Sequence, residues 1–123
     1  MTILAIGKNL YLKQGDTGNV YFNKLPKDKP YDVYLSVYDP DTNNILNETQ
    51  ATTYTQATGQ AYFGISEDFS NGLPVGDWEY GLKICYDGTE DTVLPRAYLD
   101  ESGALVKEAA PKITVDYKYV EGA

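Results

Sequence analysis

The chain contains no histidine, and that absence limits the chemistry open to it. Ser-His and Cys-His nucleophilic arrangements are removed, together with the commonest neutral-pH acid-base group and the commonest transition-metal ligand. Carboxylates remain. Glu90/Asp91 and Asp100/Glu101 are pairs of the residue type a glycosidase uses, but each is adjacent in sequence. In a strand the two members point to opposite faces and cannot flank one glycosidic bond. Asp39-Pro40-Asp41-Thr42-Asn43 copies the D-x-D-x-N opening of a calcium loop, in which several oxygens converge on one hard cation. The match fails at Asn44, where an EF-hand needs Gly, and at Gln50, where it needs a bidentate Glu, so turn chemistry is the expected role. Cys85 is the single cysteine, set beside Lys83 and Asp87 on a polar face, and such a mixed setting does not clearly favour a thiolate. Neither catalysis nor a metal or other cofactor is expected.

Aromatic residues offer a different chemistry. Twelve Tyr stand against three Phe and one Trp, and tyrosine combines apolar area with a polar tip suited to half-buried strand positions. Tyr34, Tyr38 and Tyr62 fall off the expected core faces and form a candidate surface for stacking on sugar rings or docking another subunit. Ordinary cross-strand pairing is the alternative. A net charge of −8 with ten Lys and Arg argues against binding nucleic acid, because neutralising phosphates needs basic side chains gathered on one surface. One cysteine permits no intrachain disulfide, and residues 1–8 carry too few apolar positions for a signal peptide or a membrane span. The expected site of synthesis is a cytoplasm, with no membrane partner.

The elements that must position these residues read as strands. The longest is Trp78-Glu79-Tyr80-Gly81-Leu82-Lys83-Ile84-Cys85-Tyr86, entered by Pro74-Val75-Gly76 and left by Asp87-Gly88. Its alternation predicts Trp78, Tyr80, Leu82, Ile84 and Tyr86 on a core face, with Glu79, Lys83 and Cys85 toward water. Val33, Leu35 and Val37 alternate with Tyr34, Ser36 and Tyr38 in a second central strand. Val20 and Phe22 share a face with Lys24, leaving Tyr21, Asn23 and Leu25 on the other. Ala61, Phe63 and Ile65 face inward on another strand, and Ile113, Val115, Tyr117 and Tyr119 line one face of the closing strand. Ile45, Leu46 and Tyr54 anchor weaker edge strands, and residues 67–72 predict one helical turn closed by Gly72. About seven strands with turn signals every eight to twelve residues or so predict an all-β sandwich of two antiparallel sheets, one domain over residues 1–123 with residues 1–9 as an N-terminal extension.

Leu73-Pro74-Val75-Gly76-Asp77-Trp78-Glu79-Tyr80-Gly81-Leu82 resembles the E–F corner and F strand of immunoglobulin-like and fibronectin type III domains, with the corner tyrosine falling on Trp78 or Tyr80. Adding Gln14-Gly15-Asp16-Thr17, Tyr31-Asp32 and Thr58-Gly59, residues 10–90 or so resemble the immunoglobulin-like domains of tailed-bacteriophage structural proteins, the N-terminal domains of baseplate upper proteins being the nearest type. The resemblance implies an immunoglobulin-like β-sandwich in a virion, made in the bacterial host's cytoplasm, whose partners are other virion proteins and copies of itself. The chain ends three residues after its last expected strand, which leads us to expect a capsid decoration or minor capsid protein, or a neck or tail component, rather than a baseplate adaptor. A carbohydrate-binding or surface-adhesion module is the alternative.

Residues 92–108 depart from that pattern. They read as an extended hairpin inserted before the last strand, with Pro95 marking an edge and residues 100–103 as the connection. The hairpin carries more apolar surface than two isolated strands can bury. It is expected either to fold back over the domain's own sheet edge or to reach a neighbouring subunit, with Leu94, Arg96, Tyr98, Leu99, Leu105 and Lys107 as candidate assembly contacts.

Overall fold

The computed structural model describes residues 3–6 and 8–117. Among these, twelve strands and one short helix follow in order: β1 (Leu4–Ile6), β2 (Asn9–Lys13), β3 (Gly18–Phe22), β4 (Asp32–Tyr38), β5 (Ile45–Gln50), β6 (Thr53–Thr55), β7 (Gln60–Ile65), α1 (Glu67–Asn71), β8 (Gly76–Tyr86), β9 (Thr89–Leu94), β10 (Ala97–Leu99), β11 (Leu105–Lys107) and β12 (Lys112–Asp116). The large sheet has the order β1-β2-β12-β8-β4-β5, with β9 also on β8; a smaller sheet has the order β3-β7-β6; β10 and β11 form a two-stranded sheet of their own. The fold is an all-β sandwich. One pairing departs from the expected antiparallel sheets, since β12 runs parallel to β2. Nearly the whole chain separates these two strands, so no tight turn imposes an antiparallel direction on them. Leu4 to Ile6, a short run within the expected N-terminal extension, form the outer strand of the large sheet.

Strand alternation explains the core. Val33, Leu35 and Val37 of β4, Ala61, Phe63 and Ile65 of β7, Tyr80, Leu82 and Ile84 of β8, and Ile113 and Val115 of β12 are all buried, while their odd-numbered or even-numbered neighbours turn outward. Phe22 and Trp78 are only half-buried, packed against the rim of this core. Tyr86 and Tyr117 are exposed, against expectation, because Tyr86 ends β8 at a turn and Tyr117 lies past the end of β12; Tyr119 lies outside the described residues. Leu25 is buried, although alternation puts it opposite Val20. A φ of 61° at Lys24 breaks the alternation, and the Leu25 N–H then donates to the Gly59 carbonyl at 2.9 Å. A Cβ added at Gly59, itself at a φ of 68°, would stand 2.5 Å from the Leu25 carbonyl oxygen, so no other residue fits that crossing.

The predicted helical turn forms, started by Ser66, whose hydroxyl accepts the Phe69 N–H at 3.1 Å. Gly72 closes it as expected; its backbone is right-handed, and its lack of a side chain supplies space, because Asn47 reaches across it to donate from Nδ2 to the Phe69 carbonyl at 3.0 Å. Ser70 is buried and donates to the Asp16 carbonyl at 2.8 Å.

β8 joins the large sheet together. One edge pairs with β4, and the other is divided between β12, at Gly76 to Glu79, and β9, at Leu82 to Tyr86. At the handover the Tyr80 N–H donates to the Pro111 carbonyl at 3.1 Å, and a Cβ added at Gly81 would stand 2.7 Å from the Leu94 carbonyl oxygen. Glycine there admits the close approach of the departing strand. No helix among the described residues is long and apolar enough to cross a membrane.

Candidate functional site

The hairpin expected over residues 92–108 is divided differently. Asp87 and Gly88 have φ values of 49° and 81° and make a two-residue turn, so that β9 folds straight back on β8 with Tyr86 opposite Thr89. Leu94 closes β9 opposite Leu82 and is only 8% exposed, so it belongs to the core and is withdrawn as an assembly contact. The Leu94–Pro95 peptide is cis. The arm proper begins at Arg96, whose carbonyl accepts the Glu108 N–H at 2.9 Å.

Within the arm Tyr98 lies opposite Val106 and Leu99 opposite Leu105, one pair on each face. The tip is held by the Asp100 carboxylate, which accepts the N–H groups of Ser102 and Ala104 at 2.9 Å each and the Ser102 hydroxyl at 2.6 Å. The hydroxyl bond, then the backbone donors, hold this carboxyl below the usual range. Leu99 is 68% exposed, Leu105 61% and Tyr98 41%. These three side chains are thus not covered by the arm's own domain, while Val106 is half-buried. Arg96 stands 5.2 Å above the Tyr98 ring and 3.9 Å from the Glu108 carboxylate, while Lys107 is exposed on the leucine face. Five of the six candidate contacts thus come together on one projecting element.

At the root of the arm lies an open cleft of about 730 Å³. Leu10, Val20, Tyr80 and Leu82 make its apolar floor, the chain just after β3 makes one wall, and β9 with Arg96 and Ala97 makes the other. Lys8, Lys24 and Arg96 border it, and no Asp or Glu lines it. Tyr80 is fully buried and its hydroxyl donates to the Lys8 carbonyl; burial pushes its phenol well above the usual value.

The aromatic candidates do not form one surface. Tyr34 and Tyr38 lie on the outer side of the large sheet, whereas Tyr62 is on β7 in the other sheet, so their outward faces belong to opposite layers. Lys83 stands 5.5 Å from the Tyr34 ring centre and pairs with Glu48 at 3.4 Å and Glu90 at 3.8 Å, with Glu48 also accepting the Ser36 hydroxyl at 2.5 Å. Burial and then the neighbouring Glu79 raise the Tyr38 phenol. Tyr62 packs against Tyr21 at 5.1 Å and donates to Asn19 at 2.8 Å. Spacing did not reveal a third group: Tyr31 lies 6.3 Å from both Tyr54 and Tyr86, with the rings edge to face. Its hydroxyl donates to Asp28 at 2.7 Å and that of Tyr54 to the Pro26 carbonyl, so these rings fasten the 26–30 loop and present no flat platform. Three separate elements contribute them, which is why no local pattern could announce the cluster.

The remaining candidates have local partners. Asp39 accepts the Asp41 N–H at 2.9 Å and Asn43 sits at a φ of 59°, a side-chain-stabilised turn. Among the described residues no three His, Cys, Asp or Glu side chains gather as metal ligands. The Cys85 thiol lies 3.8 Å from the Glu90 carboxylate, and burial together with that charge raises its pKa, which opposes thiolate formation. No protein-family model matches the chain, and no curated protein matches it in sequence.

Proposed function

We propose that this protein is a non-enzymatic structural component of a tailed-phage particle, as a capsid decoration or minor capsid protein or a part of the neck or tail, and that its arm joins it to neighbouring subunits. The observation that carries this reading is the cross-strand pair Leu99 and Leu105, exposed together on a hairpin that forms a separate sheet. A two-stranded hairpin is at best marginally stable in water, and a second surface over its leucines supplies what the arm lacks. The immunoglobulin-like part of the reading is supported by the strand orders β12-β8-β4-β5 and β3-β7-β6. Trp78 supports it too, since its Nε1–H donates at 2.9 Å to the Pro74 carbonyl four residues upstream, the type of bond a corner tyrosine makes. The absence of catalysis rests on the lack of histidine in the sequence. A carbohydrate-binding or adhesion role draws less support, because Tyr34 and Tyr38 lie on one sheet and Tyr62 on the other.

The test is to replace residues 97–107 with a short Gly-Ser turn, which spares the buried Leu94 and joins the hydrogen-bonded pair Arg96 and Glu108. The shortened protein is expected to keep its circular dichroism and unfolding midpoint yet to be missing from purified particles. Incorporation at the normal level refutes the reading.

A further inference from the structure

Resting on that assembly reading, we propose that the cleft at the arm's root receives the arm of a second copy of this chain. Charge is the first reason. In a chain of net charge −8, three cationic residues border this cleft and no carboxylate lines it. The arm's tip brings Asp100 and Glu101 next to Leu99 and Leu105, which gives it an acidic tip for the cationic border and leucines for the apolar floor, with Lys107 on the same face but at the root end. The second reason is the backbone. Among the described residues β3 ends the small sheet and no strand pairs with β9 on the side away from β8, so two strand edges border the cleft, and a strand edge is a template for an incoming strand.

A chain does not fill its own cleft. Arg96 and Ala97 form the wall, and Leu99 and Leu105 stay outside it, exposed. Because arm and cleft are different surfaces, each copy offers one of each: two copies that exchange arms reciprocally close as a twofold dimer, and copies that do not exchange reciprocally run on into rings or filaments.

Native mass spectrometry and sedimentation of the full chain over a concentration series test this. The arm is disabled by Leu99→Asp with Leu105→Asp. The cleft is disabled in two independent ways, by Lys8→Glu with Lys24→Glu and by Thr92→Trp as a plug; all these positions are exposed, and circular dichroism checks each fold. Wild type is expected to form dimers or larger species, and each variant to associate at least tenfold more weakly. An equimolar mixture of arm-disabled and cleft-disabled proteins is expected to give pairs and nothing larger, since only one productive contact remains. If the cleft variants associate like wild type while the arm variant does not, the arm docks elsewhere and this inference fails, with the assembly role intact. If wild type stays monomeric throughout, self-docking is refuted, and the particle-incorporation experiment above judges the assembly role separately.

Discussion

β8 and the β10–β11 arm are written with similar side chains and meet opposite fates. Tyr80 and Leu82 are buried, whereas Tyr98 and Leu99, just as apolar, stand in solvent. The difference lies in what surrounds each strand. β8 has a neighbour on both edges and the smaller sheet across from its inner face, while β10 has β11 alone. Apolar area lowers free energy only where something removes it from water, so an apolar strand without a facing layer is an incomplete interface.

The comparison is broken most severely at Tyr80. Tyr80→Ala removes a fully buried ring and the hydroxyl bond to Lys8, with an expected loss of about 3–5 kcal/mol in a denaturant titration. Trp78→Ala comes next. The sequence pattern makes it a core residue of equal weight, but its half-buried ring reduces the expected loss to about 2 kcal/mol, including the indole bond to Pro74. Gly81→Ala tests the strand handover: the added methyl meets the Leu94 carbonyl, and about 1–3 kcal/mol of overpacking cost is expected, with faster amide exchange in β9 than in β4. In the arm, Leu99→Ser and Leu105→Ser are expected to change the isolated protein's stability by no more than about 0.5 kcal/mol while abolishing assembly. A loss comparable to that of Tyr80→Ala would mean that the arm is part of the core after all.

The smallest effect is in the exposed Tyr31–Asp28 contact, which shows what a polar bond does without burial. The bond to Asp28, with lesser help from desolvation, raises the Tyr31 phenol to about 12, and the same bond lowers Asp28. A raised phenol contributes its stabilisation fully below the ordinary tyrosine range and loses it as pH climbs through about 12. A lowered carboxyl contributes above its ordinary range and loses that contribution as pH falls through its folded value. Tyr31→Phe is therefore expected to remove one late phenolate from the ultraviolet titration and to return Asp28, followed by carboxyl NMR shifts, toward its ordinary value. An unmoved Asp28 would show that the bond is not formed in solution.

Much of the sandwich was legible because side-chain alternation is a local property. Val33, Leu35 and Val37, or Tyr80, Leu82 and Ile84, face one way whatever their neighbours are, and their residue types select that face for the core. Leu25 escaped this reading because one positive φ at Lys24 reverses the face, and nothing in the residue type of a lysine marks it. The arm was legible as an apolar hairpin before the last strand, yet its boundary was not. Val93 and Leu94 are as apolar as Leu99 and Leu105, so composition joins them, while the Asp87-Gly88 turn places the former pair at the end of β9, the strand that pairs with β8. The grouping of Tyr34, Tyr38 and Tyr62 failed for a related reason: period two states which side of its own sheet a residue faces but not which layer that sheet occupies. The sequence alone determined most of the strands, which side chains within each share a face, and the lack of histidine chemistry. Tertiary structure decided which strands share a sheet, where β8 changes partner, and which apolar pair remains uncovered, because these depend on pairings between segments far apart in the chain, whose registers no local pattern encodes.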